Sequence, residues 1–125
     1  MPVQLMFDAG AQRLLQHFGA GQALLITAVN NYGLPGETLT VERYSLALAA
    51  RDPEVERVDT FQGVPIYAHH RIAAYAQWRP LRVMAHGLGR WGYLAVAHED
   101  DVWRDLLRWE RTHPSQSGRA PSHAA

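Results

Sequence analysis

The fold of this chain is decided by residues 60–98, which read TFQGVPIYAHHRIAAYAQWRPLRVMAHGLGRWGYLAVAH. Apolar, β-forming residues flank the turn signal Gln62-Gly63, and a helix-favouring run, HHRIAAYAQ, separates them from two further apolar runs. The stretch contains no aspartate or glutamate, although it holds four of the seven histidines and four of the twelve arginines. Positive charge, aromatic rings and glycine turns therefore coincide in one part of the chain.

Periodicity and turn residues divide the rest of the chain into short elements. Apolar residues at helical spacing follow Asp8, an N-cap candidate, and predict a helix over 8–18. Within Glu37–Ala49 the apolar residues alternate with polar ones, first at odd-numbered and then at even-numbered positions. This change predicts one strand with a bulge or bend near Glu42-Arg43. The other predicted elements are strands over Gln22–Val29, Val55–Phe61, Val64–Ala68, Leu81–Ala85 and Trp91–Ala97, a short helix over His69–Gln77 and an amphipathic helix over Glu99–Arg111.

This order of elements predicts an α+β fold. We expect a small antiparallel or mixed β domain, its strands arranged as a meander, with an N-terminal helix, a short internal helix and a C-terminal amphipathic helix. A doubly wound parallel sheet would need helices regularly between its strands. The 125 residues have the length of one domain. We expect that domain over 1–112 and a disordered tail over 113–125, which is rich in small and polar residues.

The composition excludes several kinds of site. The chain has no cysteine, so it offers no disulfide, no thiolate nucleophile and no thiolate ligand for zinc or an iron–sulfur cluster. Apolar residues make up 47% and charged residues 19%, as in globular proteins. The apolar runs are too short to cross a bilayer, and the opening MPVQLMFDAG lacks the basic start of a secretory signal. We therefore expect a cytoplasmic protein without membrane association.

Charge is segregated along the chain although the net charge is zero. Residues 37–59 hold six acids, residues 60–98 hold none, and acids return from Glu99 to Glu110. Arginines and rings interleave in the acid-free stretch, as a single-stranded nucleic acid or another anion would require. In the alternative, the aliphatic stems of these arginines pack on core aromatic side chains and their guanidinium groups pair with the neighbouring acids. The neutral total charge favours this alternative. The candidate residues for an anion or a partner are Arg71, Tyr75, Trp78, Arg79, Arg82, Arg90 and Trp91.

The histidines suggest a metal site in place of the missing thiols. Zinc or iron needs converging ligands, and the adjacent His69 and His70 point in different directions on a strand or a helix, so at most one of them joins a given cluster. Histidines at strand ends and helix caps are the structural alternative. The candidate ligands for iron or zinc are His69, His70, His86 and His98, and apart from them we expect no cofactor. No catalytic motif is recognisable, so no catalytic residue is assigned.

Five short motifs follow one another in a specific order. They are the run Gly63-Val64-Pro65-Ile66-Tyr67, the helix over 69–77, the strand Leu81–Ala85, the turn Gly87-Leu88-Gly89 and the strand Trp91–Val96. In order and spacing they resemble the HesB-like, A-type iron–sulfur carrier family, which has a G-V-x-V-Y strand, a short helix, a strand, a G-x-G turn and an aromatic-led strand. The resemblance covers roughly residues 5–98, including the N-terminal helix and the loop Asn30–Gly36, and implies the fold of that family.

The family's cluster ligands have no counterpart in this chain. The family carries one cysteine in the first loop and a Cys-Gly-Cys pair near the C-terminus. Here the loop reads NNYGLPG and the end reads EDDVWRDLLRW. The resemblance therefore implies a divergent, cysteine-less relative that cannot ligate an iron–sulfur cluster through its own cysteines.

We predict a non-enzymatic binding or accessory protein. Its site would be the arginine, histidine and aromatic face of residues 67–93 together with the loop Asn30–Gly36, and its partner another protein or a second copy of the chain. A nucleic-acid or other anion-binding module that uses the arginines of the acid-free stretch is the first alternative. An iron or zinc protein with histidine ligands is the second.

Overall fold

The computed structural model describes residues 3–30, 37–87 and 92–113, called the described residues below. These residues form an α+β domain, which confirms the predicted fold class. Its elements in chain order are β1 (Leu5–Phe7), α1 (Ala9–Leu15), β2 (Gln22–Asn30), β3 (Glu37–Ser45), α2 (Leu46–Arg51), β4 (Val55–Phe61), β5 (Val64–His69), α3 (His70–Ala76), β6 (Leu81–His86), β7 (Tyr93–Val96) and α4 (Glu99–Thr112).

The strands form two mixed sheets. The three-stranded sheet has the order β1-β6-β7, with β1 parallel to β6. The four-stranded sheet has the order β3-β2-β5-β4, with β2 parallel to β5 and the other pairs antiparallel. A meander would pair only strands that are neighbours in the sequence, so the two parallel pairs depart from that expectation. Each parallel pair joins strands that are distant in the chain, which local periodicity does not reveal.

The four-stranded sheet carries apolar side chains on both faces. Leu24, Ile26 and Ile66 point into the main core between the sheets and are fully buried. The alternate residues Leu25 and Tyr67 belong to a second buried cluster on the opposite face. Successive side chains of a strand point to opposite faces, so an unbroken apolar run such as ALLITAV indicates a strand that is covered on both sides.

These two cores explain why the apolar residues of Glu37–Ala49 change from odd-numbered to even-numbered positions. The predicted single long strand with a bulge is wrong. Leu39 lies in the main core, whereas Tyr44 and Leu46 pack on the second cluster. The pairing of β3 with β2 is regular, and the strand ends at Ser45. The Ser45 hydroxyl accepts a hydrogen bond from the Leu48 N–H at 3.3 Å and caps α2, a helix that the sequence analysis missed.

The predicted hairpin between β4 and β5 is confirmed. Gln62 and Gly63 adopt φ angles of 52° and 81°, the left-handed pair that a two-residue hairpin turn needs. A side chain at the glycine position would be strained, so Gly63 suits the turn. The register of the pair shifts between Arg57 and Asp59, which places a bulge in β4 rather than in β3.

The helices close the ends of the main core. The Asp8 carboxylate accepts a hydrogen bond from the Ala11 N–H at 2.7 Å, so the predicted N-cap of α1 is confirmed. α4 buries Trp103, Leu106 and Trp109 at helical spacing and packs on α3 and β3. No helix among the described residues is long and apolar enough to cross a membrane. Of the predicted tail, residues 114–125 lie outside the described residues.

Candidate functional site

Much of the predicted arginine–aromatic face is a contact between α3 and α4. The Arg71 Nε and Nη2 donate hydrogen bonds to the two carboxylate oxygens of Glu110 at 2.7 and 2.8 Å. The same guanidinium group lies 5.2 Å from the ring centroid of Trp103. Such a two-point contact occupies the planar fork with which arginine would otherwise hold a phosphate. Arg71 therefore tethers α4 to α3.

A second carboxylate, Asp105, extends this contact. The Tyr75 hydroxyl donates to Asp105 Oδ2 at 2.6 Å, and Arg79 Nε donates to the same oxygen at 3.2 Å. The hydrogen bonds from Tyr75 and Arg79 hold the pKa of Asp105 below its ordinary value, although burial opposes this effect. Burial and the contact with Asp105 raise the pKa of Tyr75. We call Arg71, Tyr75, Arg79, Asp105 and Glu110 the α3–α4 clasp.

The other predicted anion-binding residues lie beside the clasp, on β6 or outside the described residues. Trp78 follows α3 and is 44% exposed, with its ring centroid 6.1 Å from that of His113. Arg82 is exposed on β6, in the three-stranded sheet. Arg90 and Trp91 lie outside the described residues, as do residues 31–36 of the predicted loop. The described members of the predicted set are therefore divided between the region of α3 and the three-stranded sheet.

Two of the predicted metal ligands form hydrogen bonds with residues near them in the fold. His69 is the N-cap of α3, and its Nδ1 accepts a hydrogen bond from the Arg71 N–H at 3.1 Å. Burial lowers the pKa of His69, which favours the neutral ring that this cap requires. The His70 ring contacts a Glu56 carboxylate oxygen at 2.5 Å and the Pro53 carbonyl oxygen at 2.7 Å.

The remaining two candidates lie in other places. The His86 ring stacks on Tyr93 at a centroid distance of 5.4 Å. His98 has a left-handed backbone (φ 55°) at the start of α4. Within residues 3–30, 37–87 and 92–113, no three histidine or acidic side chains come together as metal ligands would.

A different group of cations surrounds a cavity of about 630 Å³ between α1, β3 and the end of β6. We call it the basic cavity. Its lining residues are Gly10, Arg13, Leu14, His17, Arg43, Ala85, His86, Gly87 and Gly92. Helical spacing explains why Gly10, Arg13 and Leu14 share a side, because residues three and four positions apart lie on one face of a helix, and His17 follows shortly after the end of α1. A Cβ at Gly10 would lie 3.0 Å from the Ala85 Cβ, so this glycine permits the close approach of α1 to β6.

The two arginines reach the basic cavity from different elements. Arg13 comes from α1, and Arg43 comes from β3, where its guanidinium carbon lies 4.6 Å from the ring centroid of Phe18. Among the described residues, no carboxylate forms an ion pair with either arginine, and no acid lines the cavity. The neighbouring Asp8 caps α1 with its carboxylate and keeps its negative charge; its Oδ1 and the Arg13 Nη2 lie 3.6 and 3.9 Å from the position that a Cβ of Gly10 would take. The two arginines outnumber this one neighbouring acid, so the basic cavity favours anions.

Most of the residues that line this cavity lie outside residues 60–98, so the charge pattern of that stretch does not reveal them. The spacing of Gly10, Arg13, Leu14 and His17 was a usable signal, since it places two basic groups on one helix face. Arg43 had no such signal, because only the packing of β3 near α1 brings it to the site. His86 was predicted as a metal ligand, and the structure places it at the cavity with these residues.

No protein-family model matches the chain, and no curated protein matches it.

Proposed function

We propose that the chain is a non-enzymatic binding module that holds an anion in the basic cavity. One observation carries this proposal: Arg13 and Arg43 converge on a cavity that no described acid lines. A volume of about 630 Å³ falls within the range of small-molecule sites, about 300–1,000 Å³. The ligand is an anion of this size or the anionic part of a larger molecule.

The lining side chains would bind such an anion in complementary ways. Each guanidinium group offers a planar fork of donors that matches two oxygens of a phosphate or carboxylate. His17 and His86 add ring N–H donors at the same cavity. The contact of Arg43 with Phe18 holds its stem in place, which reduces the entropy lost when the anion binds.

The chemistry of the lining supports binding rather than turnover. The described lining residues include no hydroxyl, thiol, amine or carboxylate that could attack a substrate. The two histidines could transfer protons, but no hydrogen bond to a carboxylate orients the ring of either one among the described residues. Charge and hydrogen-bond donors are what the cavity provides.

We also propose that the domain is a divergent relative of the HesB-like family. With β1, β3, α2 and β4 set aside, the observed order α1, β2, β5, α3, β6, β7 agrees with the order that the resemblance implies, which supports this proposal. Leu88, Gly89 and Trp91 of the matching motifs lie outside the described residues. Without cysteines the chain has no thiolate with which to hold a cluster, so an accessory binding role replaces that chemistry.

Calorimetric titration with pyrophosphate at low salt tests the anion site. We expect saturable binding that the double change Arg13→Gln, Arg43→Gln weakens at least about tenfold, since each lost charged hydrogen bond is worth about 1.5–3 kcal/mol. Arg57→Gln is the matched control, because Arg57 is exposed on β4 and contacts Thr60 instead of the cavity. Absence of binding at low salt, or equal affinity in the double variant, would overturn the proposal.

A further inference from the structure

The outer face of the three-stranded sheet carries exposed side chains and adjoins the basic cavity. The strand registers pair Met6 with Arg82, Met84 with Ala95, and His86 with Tyr93. Paired residues lie on the same face of a sheet, and residues two apart along β6 do so as well. We call this surface the outer sheet face; its members are Met6, Arg82, Met84, His86, Tyr93 and Ala95.

The two faces of this sheet differ sharply in burial. The alternate residues Leu81, Val83 and Val96 point into the main core and are at most 3% exposed. On the outer sheet face, Met6 is 46% exposed and Tyr93 is 60% exposed. Met6 and Tyr93 lie on the two outer strands of this sheet, so they are separate exposed side chains. Tyr93, beside His86, is the one that adjoins the basic cavity.

Rings and positive charge are combined on this face. The stacked rings of His86 and Tyr93 lie with their planes 26° apart, and His86 also lines the basic cavity. Arg82 is exposed on the same face and forms no ion pair with any described residue. The face itself contains no acid. The acids Glu99, Asp100 and Asp101 follow closely after Ala97, whose N–H donates to the Arg82 carbonyl oxygen at 2.8 Å, so they offset part of the positive charge of Arg82. The ring platform therefore lies between Arg82 and the cavity arginines, and the cavity arginines are the stronger source of positive charge.

We propose that the outer sheet face binds single-stranded nucleic acid. A base stacks on Tyr93, which itself rests on His86, while phosphates on either side contact Arg82 and the basic cavity. Bases are available for stacking in a single strand, whereas a duplex hides them. This inference rests on the proposed anion site and specifies the ligand: the anion is a backbone phosphate.

Charge disfavours a second copy of this chain as the occupant. In a symmetric dimer the same patch lies on both sides of the interface, so positively charged faces would meet and neither outer sheet face would supply an acid. Nucleic acid is complementary instead, because it supplies the negative charge that the face and the cavity lack.

Fluorescence anisotropy with a labelled single-stranded oligonucleotide of about ten thymidines tests this inference. Tyr93→Ala should weaken binding about tenfold or more, because stacking of one base on an aromatic ring is worth this much, and Tyr93→Phe should retain it. Arg82→Gln should lower the slope of log affinity against log salt by about 0.7, the value for one phosphate contact on a single strand. Trp78→Ala is the matched aromatic control and should leave binding unchanged, since Trp78 lies outside this face.

The outcomes separate this inference from the proposed function. If pyrophosphate binds through Arg13 and Arg43 but the oligonucleotide binds no tighter than thymidine monophosphate, the nucleic-acid inference is wrong and the anion site stands. An affinity that Tyr93→Ala leaves unaltered overturns the inference as well. A dimer in light scattering that Tyr93→Ala dissociates would assign the face to a second copy and would also overturn it. Failure of pyrophosphate and oligonucleotide alike rejects both proposals.

Discussion

At both the α3–α4 clasp and the basic cavity an arginine lies over an aromatic ring, and the two regions differ in what that arginine faces. In the clasp, Arg71 lies over Trp103 and its fork is filled by Glu110. In the cavity, Arg43 lies over Phe18, and among the described residues no carboxylate pairs with it. Arginine and aromatic residues therefore do not by themselves indicate a binding site. The position of the nearest acids decides whether the positive charge is available.

The largest expected effect is on the stability of the clasp. Asp105→Ala removes the acceptor of the Tyr75 hydroxyl, and Tyr75 is only 3% exposed. A buried polar group left without a partner costs about 1–3 kcal/mol, so we expect a loss of about 2 kcal/mol in the free energy of unfolding, measured by urea denaturation.

Asp101→Ala is the control for this change, because Asp101 forms an exposed pair with Arg104. Exposed pairs of this kind contribute less than about 1 kcal/mol. Equal losses in the two variants would mean that the clasp does not stabilise the fold.

The same substitution in both regions sharpens the comparison. Arg71→Lys removes the two-point contact with Glu110 and should lower the free energy of unfolding by about 1 kcal/mol without changing pyrophosphate affinity. Arg43→Lys should weaken pyrophosphate binding and leave the free energy of unfolding within about 0.5 kcal/mol. Urea denaturation and calorimetric titration of both variants check this. The comparison fails if the two variants behave alike in both measurements.

The clasp should also respond to acid. The folded pKa of Asp105 lies below its ordinary value of about 3.9, so this group contributes stability above that value and loses it as the pH falls through the folded pKa. Unfolding followed from pH 6 to pH 2 should show this decline, and Asp105→Asn should make the decline shallower. An identical pH profile in the variant would contradict the assignment.

A smaller effect is expected from His69 at higher pH. Its folded pKa is lowered, so the unfolded chain binds more protons just below pH 6.5 and stability should fall as the pH decreases there. His69→Asn keeps an N-cap acceptor for the Arg71 N–H but does not titrate. The variant should therefore lose this part of the pH dependence in thermal unfolding between pH 7 and pH 5. A slope that persists unchanged would assign it to another group.

The sequence predicted the elements that depend on interactions between residues close together in the chain. The hairpin followed from Gln62-Gly63, because a two-residue turn needs two left-handed residues there. The start of α1 followed from Asp8, whose side chain accepts a hydrogen bond from the N–H three residues later, in the first turn of the helix. β1 was missed because three residues give no period and its partner β6 is distant in the chain. α2 was missed because the run LALAA suits a strand and a helix equally well.

The sequence by itself determined the α+β class, the order of the main helices and strands and the absence of thiolate chemistry, since these depend on composition and on periodicity along the chain. The tertiary structure decided which arginines are neutralised. Asp105 and Glu110 reach α3 because α4 packs against it, whereas Arg13 and Arg43 meet because α1 and β3 border the same cavity. Electrostatic pairing depends on distances in space of a few ångströms, and the positions of charges along the chain do not specify those distances.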